Sequence, residues 1–346
     1  MQYCSHWRDI RTTLKTGTFP LVDLRSPKEF ALGHIPRAIN IPLLDNEERH
    51  QVGKLYKEGG KREAVHLGLE IFAAKAERFL FQIEQLAPQR TIAVHCWRGG
   101  MRSRLVGYWL SLAGFEVSIL KGGYKSFRRD VHEGLDELAA HPKIVLNGRT
   151  GSGKTLFLKN FAREQRAIDL EGLAHHRGST FGGLAQEQDS PTQQNFENQI
   201  YDAYLDSKKS PKLLFEIENF IGPVCVPQRI RESLQLAPMI FLSREFEDRV
   251  QLLTQIYCEN WDDEAEKQFQ SNLVLLRKYI SHEEEQKILH AIQRKDFSYA
   301  ISQLLRLRYD RVYDKSLKRH QLQAIAHFNL SSDAEAAKVF VENALA

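Results

Sequence analysis

Two glycine-rich loops, each preceded by a short apolar run and followed by a helical pattern, constrain the fold of this chain most strongly. The first follows TIAVH and covers residues 96–102, and the second follows KIVLN and covers residues 148–155. An apolar run, a glycine-rich loop and a helix start in this order are typical of an α/β unit whose loop binds a phosphate-sized anion. Two such units predict two α/β domains.

Length and composition are those of an ordinary globular protein. With 346 residues, of which 42% are hydrophobic and 27% charged, the chain can bury two separate cores. No apolar run approaches the roughly 20 residues of a membrane-spanning helix, and the N-terminus lacks the apolar segment of a signal peptide. We therefore expect a cytoplasmic protein with no membrane partner. The net charge of +4 permits a polyanionic partner without requiring one.

Further buried strands are predicted around both loops. In the first domain they are PLVDLR, the end of GHIPRAINIP, and EVSIL; in the second they are residues 167–170, 213–217 and 238–242. Beyond residue 244 the chain becomes charged and helical. The sequence therefore predicts a three-layer α/β domain over residues 1–128, a helical linker over 129–142, a P-loop NTPase-like α/β domain over 143–245, and a helical C-terminal region over 246–346 that packs on the P-loop domain.

The first loop has the composition of a reactive-thiol site. The four cysteines are scattered without a CxxC pair, which argues against a zinc site or a disulfide framework. Cys96 stands at a strand end before Gly-Gly and a helix, where backbone N–H groups stabilise a thiolate and hold an oxyanion. This setting favours a nucleophile over a cysteine that only packs. The residues expected to form its anion loop are Trp97, Arg98, Gly99, Gly100, Met101 and Arg102.

The segments DLRSPKEF and GHIPRAINIP, together with the loop cysteine, resemble the rhodanese superfamily. The resemblance implies a rhodanese-like first domain in which Cys96 carries sulfur or selenium as a persulfide or perselenide. It also implies that Asp23 and Arg25 brace the loop. His95, Cys96 and Arg102 fit the HCx5R pattern of cysteine phosphatases as well, with a loop one residue longer than that of ordinary sulfurtransferases. Either the domain is a phosphatase, or its donor contains a phosphate group.

The second loop, GRTGSGKT, matches GxxxxGK[ST] in full, with the strand before it and the helix after it that the pattern requires. Backbone N–H groups of such a loop surround phosphate oxygens, the lysine neutralises their charge, and the last residue is a candidate Mg²⁺ ligand. The residues expected to bind the phosphates are Gly148, Thr150, Gly151, Ser152, Gly153, Lys154 and Thr155, with Thr155 as the Mg²⁺ candidate.

A carboxylate that organises the metal is expected at the end of a later strand. Glu216 and Glu218 are both candidates, and Glu218 is favoured because it lies nearer the C-terminal end of its strand. Asp169 and Glu171, at the end of the predicted strand over residues 167–170, are candidates to face the same ligand.

The two domains in this order resemble the tRNA 2-selenouridine synthases. The resemblance rests on DLRSPKEFALGHIPRAINIP, HCWRGGMRS and LKGGYKSFRRDV in the first domain, and on NGRTGSGKT, IDLEGLAHHRGSTFGG and PTQQNFEN in the second. It implies an enzyme that transfers a geranyl group from geranyl diphosphate to the sulfur of wobble 2-thiouridine in tRNA. Selenium from selenophosphate then replaces the S-geranyl group. No tightly bound cofactor is implied, and selenophosphate synthase is a candidate partner.

The resemblance divides the work between the two loops. The phosphate loop binds the diphosphate of the prenyl donor, and the Cys96 thiolate attacks selenophosphate and leaves a perselenide. Candidates for an apolar slot in the second domain are Leu173, Phe181 and Phe196, and candidates to contact diphosphate or tRNA are His175, His176 and Arg177. The tRNA candidates are Lys125, Arg128, Arg129 and Arg308, interleaved with Tyr124, Phe127, Tyr309 and Tyr313 that would stack on bases.

Two other functions fit parts of the sequence. A cysteine phosphatase or sulfurtransferase fused to a P-loop kinase would hydrolyse phosphate esters and turn over nucleotides. The sequence places no evident aspartate as a phosphatase general acid near the cysteine loop, which counts against this reading. A non-catalytic sulfur-relay protein would leave the intact phosphate loop without a purpose. Both are less favoured than tRNA modification.

Overall fold

The computed structural model describes residues 2–4, 7–17, 19–179, 181–182, 184, 189–259, 261–311 and 324–346, with the backbone alone for residues 2–4. The chain divides into two compact units. The first comprises Met1–Gly134 and Thr192–Gln199, and the second comprises Leu135–Pro191 and Ile200–Ala346. Within the described ranges, none of the helices combines the length and the apolar character that a membrane crossing demands.

The first unit is built on a five-stranded parallel sheet with the strand order β1-β5-β4-β2-β3. Its strands are β1 (Gln2–Cys4), β2 (Leu21–Asp23), β3 (Ile39–Asn40), β4 (Thr91–His95) and β5 (Glu116–Leu120). Its helices are α1 (Trp7–Lys15), α2 (Pro27–Leu32), α3 (Asn46–Glu58), α4 (Lys61–Ala73), α5 (Ala76–Leu86), α6 (Met101–Leu112) and the start of α7 (Gly123–Ala140).

Apolar residues of the central strands form the core of the first unit. Ile92 and Val94 of β4 and Val117 of β5 are fully buried, and they pack in one cluster with Ile83 of α5 and Leu110 of α6. Continuous burial of neighbouring strand residues is expected where a parallel sheet is covered by helices on both faces. This arrangement explains why TIAVH and EVSIL were readable as strands from composition alone.

The second unit contains a four-stranded parallel sheet with the order β11-β10-β6-β7 and a separate antiparallel pair, β8-β9. Its strands are β6 (Lys143–Asn147), β7 (Leu213–Glu216), β8 (Phe220–Ile221), β9 (Val224–Cys225), β10 (Met239–Ser243) and β11 (Ala326–Asn329). Its helices are α8 (Lys154–Arg163), α9 (Leu170–Leu173), the end of α10 (Gln193–Ser207), α11 (Gln228–Leu236), α12 (Phe246–Cys258), α13 (Asp263–Val274), α14 (His282–Gln293), α15 (Phe297–Leu304), a π-helix (Leu305–Tyr309) and α16 (Ala334–Leu345).

Three apolar clusters of the described residues lie in the second unit, and the two larger ones contribute most of its core. One joins the sheet to α8 and α16, and includes Leu146, Leu158 and Val341. The other lies among α13, α14 and α15 and includes Phe269 and Ile288. The charged helical region after residue 244 therefore contributes to an apolar core within the same compact unit as the phosphate loop.

The strands predicted over residues 213–217 and 238–242 are confirmed by β7 and β10, but the strand predicted over 167–170 is wrong. Only Ala167 pairs, as an isolated bridge with Leu214. The Asp169 carboxylate accepts a hydrogen bond from the Gly172 N–H and starts α9, which takes the chain away from the sheet. The edge strands β1 and β11 were not predicted, because neither carries a continuous apolar run.

Candidate active sites

The Cys96 thiol lies between the end of β4 and the start of α6 in the first unit. It is buried, with its Sγ 3.3 Å from the Ser103 hydroxyl. Burial opposes ionisation of the thiol. Hydrogen bonds from Ser103, the charge of Arg102 and the backbone N–H of Arg98 outweigh burial, so the pKa of Cys96 is lowered from its ordinary value. The loop therefore favours the nucleophilic thiolate, and Ser103 is a contributor that the sequence analysis did not identify.

The side chains of the cysteine loop divide into two groups. Trp97, Arg98 and Met101 are exposed. Arg102 is half-buried and donates through Nη1 to the Glu29 carboxylate at 3.0 Å. Glu29 was also missed from sequence; it completes the capping box of α2 and holds the arginine whose charge stabilises the thiolate.

A glycine turn after β5 closes the cysteine loop from behind. Gly123 has a positive φ of 57°, and a Cβ on it would overlap the carbonyl oxygen of Cys96. Because of this close approach, Tyr124 N–H donates to the Cys96 carbonyl at 3.0 Å and Lys125 N–H donates to the Trp97 carbonyl at 2.9 Å. Glycine is the one residue that fits here, since it tolerates both the backbone conformation and the contact.

A buried polar network supports the loop. Arg25 Nη2 lies 2.6 Å from Asp23 Oδ2, and the same nitrogen donates to the Gly33 carbonyl at 2.7 Å. Burial alone would raise the pKa of Asp23, but His95 and Arg25 lower it from its usual value, so the carboxylate is ionised. The Arg25 guanidinium lies 3.8 Å from the centre of the Tyr124 ring. Asp23 and Arg25 thus occupy positions suited to bracing the loop.

Residues 192–199 belong to the first unit, although the sequence analysis assigned PTQQNFEN to the second domain. Asn195 Oδ1 accepts a hydrogen bond from the His34 N–H at 2.9 Å, and Asn198 Nδ2 donates to the His34 carbonyl at 2.7 Å and to the Tyr124 hydroxyl at 3.0 Å. This segment therefore fixes both the GHIP turn and the tyrosine that contacts Arg25. The motif was visible in the sequence, but its partners are distant along the chain.

The tRNA candidates have different environments. Lys125 and Arg129 are exposed, whereas Arg128 donates to Glu197 at 2.5 Å and to Asn198 at 2.6 Å. Arg308 lies over the Tyr279 ring, with its guanidinium carbon 3.9 Å from the ring centre.

The aromatic residues proposed to stack on tRNA bases differ in the same way. The prediction for Tyr124 and Phe127 is wrong, because both side chains are buried in the first unit. Tyr309 lies in the wall of an apolar cavity. Tyr313 lies outside the described residues.

The phosphate loop of the second unit connects β6 to α8, as predicted. Lys154 Nζ donates to the Gly148 carbonyl at 2.9 Å. The Ser152 hydroxyl is buried and has no hydrogen-bond partner among the described residues. A buried hydroxyl of this kind requires a polar partner, and a phosphate oxygen is suited to that role. Arg244 Nε donates to the Ser152 carbonyl at 3.2 Å and Arg249 Nε donates to the Thr150 carbonyl at 2.9 Å.

Three glutamates converge beside the loop. Glu171, Glu216 and Glu218 offer carboxylate oxygens that all lie within 4.8 Å of one another. The Thr155 hydroxyl donates to Glu171 at 3.2 Å. Burial and the neighbouring carboxylates raise the pKa of Glu171 to about 8 and that of Glu218 to about 7, and burial raises that of Glu216 as well. Hard oxygen ligands in a cluster with this unbalanced negative charge fit Mg²⁺.

The sequence analysis named all three glutamates, and the structure brings them together with Thr155. Asp169 instead caps α9. The histidine-rich segment lies nearby: Gly178 approaches the Glu171 and Glu218 carboxylates, and Arg177 donates to the Leu184 carbonyl at 2.8 Å.

The remaining candidates for contacts to the prenyl group, the diphosphate or tRNA have various environments. His175 contacts the Asp189 carbonyl through Nδ1 at 3.0 Å, and His176 Nδ1 accepts from the Gly178 N–H at 3.2 Å. Phe181 is buried in the wall of the apolar cavity that also includes Tyr309. Phe196 is buried in the first unit, so its prediction as part of a slot in the second domain is wrong. Leu173 does not line the cavity.

Comparison with known proteins also divides the chain into two parts. Residues 7–130 match the family model described as a rhodanese-like domain, and residues 141–344 match the model described as the tRNA 2-selenouridine synthase AAA domain. The tRNA 2-selenouridine synthase of Shewanella denitrificans is 35% identical over 336 residues, covering 88% of this chain and 90% of that protein. The chain belongs to the tRNA 2-selenouridine synthase family.

Other tRNA 2-selenouridine synthases are similarly related. That of a Sulfurovum species is 37% identical, covering 81% of this chain and 77% of its own length. That of Marinobacter nauticus is 33% identical, covering 87% and 89% respectively. The likeness to tRNA 2-selenouridine synthases therefore includes both units and the C-terminal helices.

Proposed function

We propose that this enzyme converts wobble 2-thiouridine of tRNA into 2-selenouridine in two steps, using geranyl diphosphate and then selenophosphate as co-substrates. Membership of the family supports the overall reaction. The observation that carries the division of labour is the presence of two separate anion sites, a thiolate loop at Cys96 and a phosphate loop at Lys154, in different compact units.

The first step is assigned to the second unit. Backbone N–H groups of the phosphate loop and the Lys154 ammonium bind the diphosphate, and the wobble sulfur displaces it from the first carbon of the geranyl group. Thr155, Glu171, Glu216 and Glu218 would hold Mg²⁺, which neutralises charge on a diphosphate leaving group when bound. His175, His176 and Arg177 of the histidine-rich segment, which are half-buried, and the candidate Lys125, Arg129 and Arg308 side chains are proposed to contact tRNA.

The second step is assigned to Cys96. The perselenide that the resemblance implies raises a problem of electron balance. If the thiolate attacks selenium and the Se–P bond breaks, the electron pair leaves with phosphorus and the product is phosphite. Release of phosphate would need a two-electron oxidant as well.

Attack on phosphorus balances without an oxidant. The Cys96 thiolate forms an S–P bond, the Se–P bond breaks, and selenium departs with the electron pair as hydrogenselenide. Hydrogenselenide then adds to C2 of the S-geranylated uridine and expels geranylthiolate, which takes a proton from water. Water hydrolyses the S–P bond and returns the thiolate and phosphate. We therefore favour a phosphocysteine at Cys96 over a perselenide.

The loop geometry supports this route. A phosphatase-like HCx5R loop encloses a tetrahedral phosphate, and Arg102 and the loop amides supply positive charge for its oxygens. Phosphatases need a general acid to protonate an alkoxide, but hydrogenselenide is a far weaker base and leaves without one. The lack of an evident aspartate near the loop, which argued against a phosphatase, is therefore compatible with cleavage of a Se–P bond.

The proposal is tested by mass analysis of nucleosides from tRNA containing 2-thiouridine. Wild type, Cys96→Ala and Lys154→Ala proteins are incubated with geranyl diphosphate, with and without selenophosphate. We expect 2-selenouridine from wild type, the S-geranyl nucleoside from Cys96→Ala, and unchanged 2-thiouridine from Lys154→Ala. If no nucleoside changes with wild type, the proposed reaction is excluded for this chain.

The form of Cys96 is read from the same reaction by mass spectrometry of its peptide. Selenophosphate labelled with ³²P should label Cys96 if phosphocysteine forms. A selenium isotope pattern on Cys96 without ³²P would instead support the perselenide.

A further inference from the structure

An apolar cavity lies within the second unit among the C-terminal helices. About 510 Å³ of space free of protein atoms lies in and around it, counting the part that is open to solvent. Most of its walls come from α12 to α15 and the π-helix. Representative lining residues are Leu253, Tyr257, Trp261, Phe269, Ile301 and Leu305.

The cavity reaches the phosphate loop. Thr150 of the loop is part of its wall. Leu253, another wall residue, lies so close to Gly151 that a Cβ at this glycine would meet Leu253 Cδ1 at 2.8 Å. The wall and the loop are also tied together, because Arg249 donates to the Thr150 carbonyl and pairs with Asp310, the residue after the π-helix. The phosphate loop and the cavity are therefore direct neighbours that share part of their walls.

The lining suits a hydrocarbon chain better than a nucleotide base. Among the described residues, no charged side chain lines the cavity. The hydroxyls of Ser179 and Tyr257, two of the few polar groups, lie 3.2 Å apart and hydrogen-bond to each other. A base buried here would leave several donors and acceptors without partners, which costs free energy, whereas an alkyl chain gains from the removal of its surface from water.

We propose that this cavity binds the apolar chain of an alkyl diphosphate whose diphosphate occupies the phosphate loop. The inference rests on the proposed function, which supplies geranyl diphosphate as the probe. It gives the C-terminal helices a task that neither sequence motif nor family name assigns: they select the substrate by the size of its chain.

The test compares calorimetric binding of geranyl diphosphate and inorganic pyrophosphate to the full chain in the presence of MgCl₂. Wild type should bind geranyl diphosphate at least about 30-fold more tightly than pyrophosphate, because only the former buries a chain. Ile301→Trp should fill the cavity and remove that advantage, while its affinity for pyrophosphate stays within about twofold of wild type. Leu236→Trp is the matched control, since Leu236 is 88% exposed and outside the cavity.

A second variant keeps the test informative if Ile301→Trp does not fold. Leu305→Ala should enlarge the cavity and shift the preference toward farnesyl diphosphate relative to geranyl diphosphate by about tenfold. If Ile301→Trp keeps the geranyl advantage and Leu305→Ala leaves the relative preference unchanged, the inference is overturned even when the nucleoside assay shows geranylation. If wild type binds neither probe, the role proposed for the phosphate loop fails, and the cavity assignment falls with it.

Discussion

Arg249 and Asp310 form an ion pair beside the phosphate loop, with Nη2 2.6 Å from Oδ1 and the arginine side chain only 3% exposed. The two residues are far apart in sequence, one on α12 and the other just after the π-helix. Because Arg249 also donates to the Thr150 carbonyl, the pair connects the loop to the helices that enclose the cavity. The alignment of the loop therefore depends on a contact made by the C-terminal half of the chain.

Removing one partner of this pair should destabilise the second unit. Asp310→Asn leaves the buried Arg249 charge without compensation, and we expect a loss of about 3 kcal/mol in the free energy of unfolding. Urea titration of the full chain measures this value. Glu264→Gln, at an exposed acidic position of α13, should change it by less than about 0.5 kcal/mol. Equal small effects of both substitutions would contradict a structural role for the pair.

The reactivity of Cys96 should depend on the Ser103 hydroxyl. In wild type the midpoint of the pH–rate profile for alkylation of Cys96 should lie below the ordinary thiol value of 9.0. Ser103→Ala removes the hydrogen bond to the thiolate and should move that midpoint upward. Cys258 is an internal reference, since burial raises the pKa of its thiol to about 11.

A matched control for the serine is Ser111→Ala, whose exposed hydroxyl bonds the Tyr108 carbonyl on the same helix. The assignment would be refuted by a midpoint that is the same in wild type and Ser103→Ala.

The three glutamates should make stability depend on pH and Mg²⁺. Their folded pKa values are raised, to about 8 for Glu171 and about 7 for Glu218, so the folded state holds protons that the unfolded state has released. Without divalent cations, the contribution of these protons to the free energy of unfolding is fully present below the ordinary glutamate pKa of 4.5. It is lost as the pH rises through the folded pKa values of about 7 and about 8.

Mg²⁺ competes with these protons and should restore stability mainly at the upper end of that range. Thermal unfolding at pH 6 and pH 8.5, with and without MgCl₂, tests this. Glu171→Gln should flatten the pH dependence and weaken the response to Mg²⁺. If MgCl₂ does not change the unfolding temperature of the wild-type protein at pH 8.5, that result would count against the metal site.

The buried Asn198 amide should stabilise the first unit. Asn198→Leu leaves the His34 carbonyl and the Tyr124 hydroxyl without this donor, and we expect a loss of roughly 2 kcal/mol. Hydrogen exchange should accelerate around residues 30–36 more than in the second unit. Gln193→Leu changes an exposed glutamine of the same helix and should leave exchange there unaltered. Uniform acceleration across the chain would show that the effect is global.

The sequence predicted features whose partners lie nearby in the chain. Both anion loops were readable because the strand, the glycines and the helix that create each site are consecutive. Partners that are distant in sequence could not be predicted. Glu29 bonds to Arg102 and Asn198 bonds to Tyr124, and no local sequence pattern indicates either contact. Burial produced the clearest error, since Tyr124 and Phe127 alternate with basic residues as stacking aromatics do, yet both are buried.

The carboxylate cluster shows an intermediate case. Glu171, Glu216 and Glu218 were all candidates, because acidic residues at the carboxyl ends of parallel strands meet at one edge. The sequence favoured one of them, whereas the structure brings all three within reach of a single ion. The strand expected before Glu171 does not form, because the Asp169 side chain caps the start of a helix at this point of the chain.

The position of residues 192–199 has a consequence for how the protein is made. A ribosome that has released residue 134 has delivered the Cys96 loop and its sheet, but the segment that holds His34 and Tyr124 is still to be synthesised. The first unit can complete its fold only after the whole phosphate loop has emerged. The first unit therefore finishes folding only after part of the second unit has been synthesised. A gene fragment that ends at residue 134 would encode an incomplete first unit.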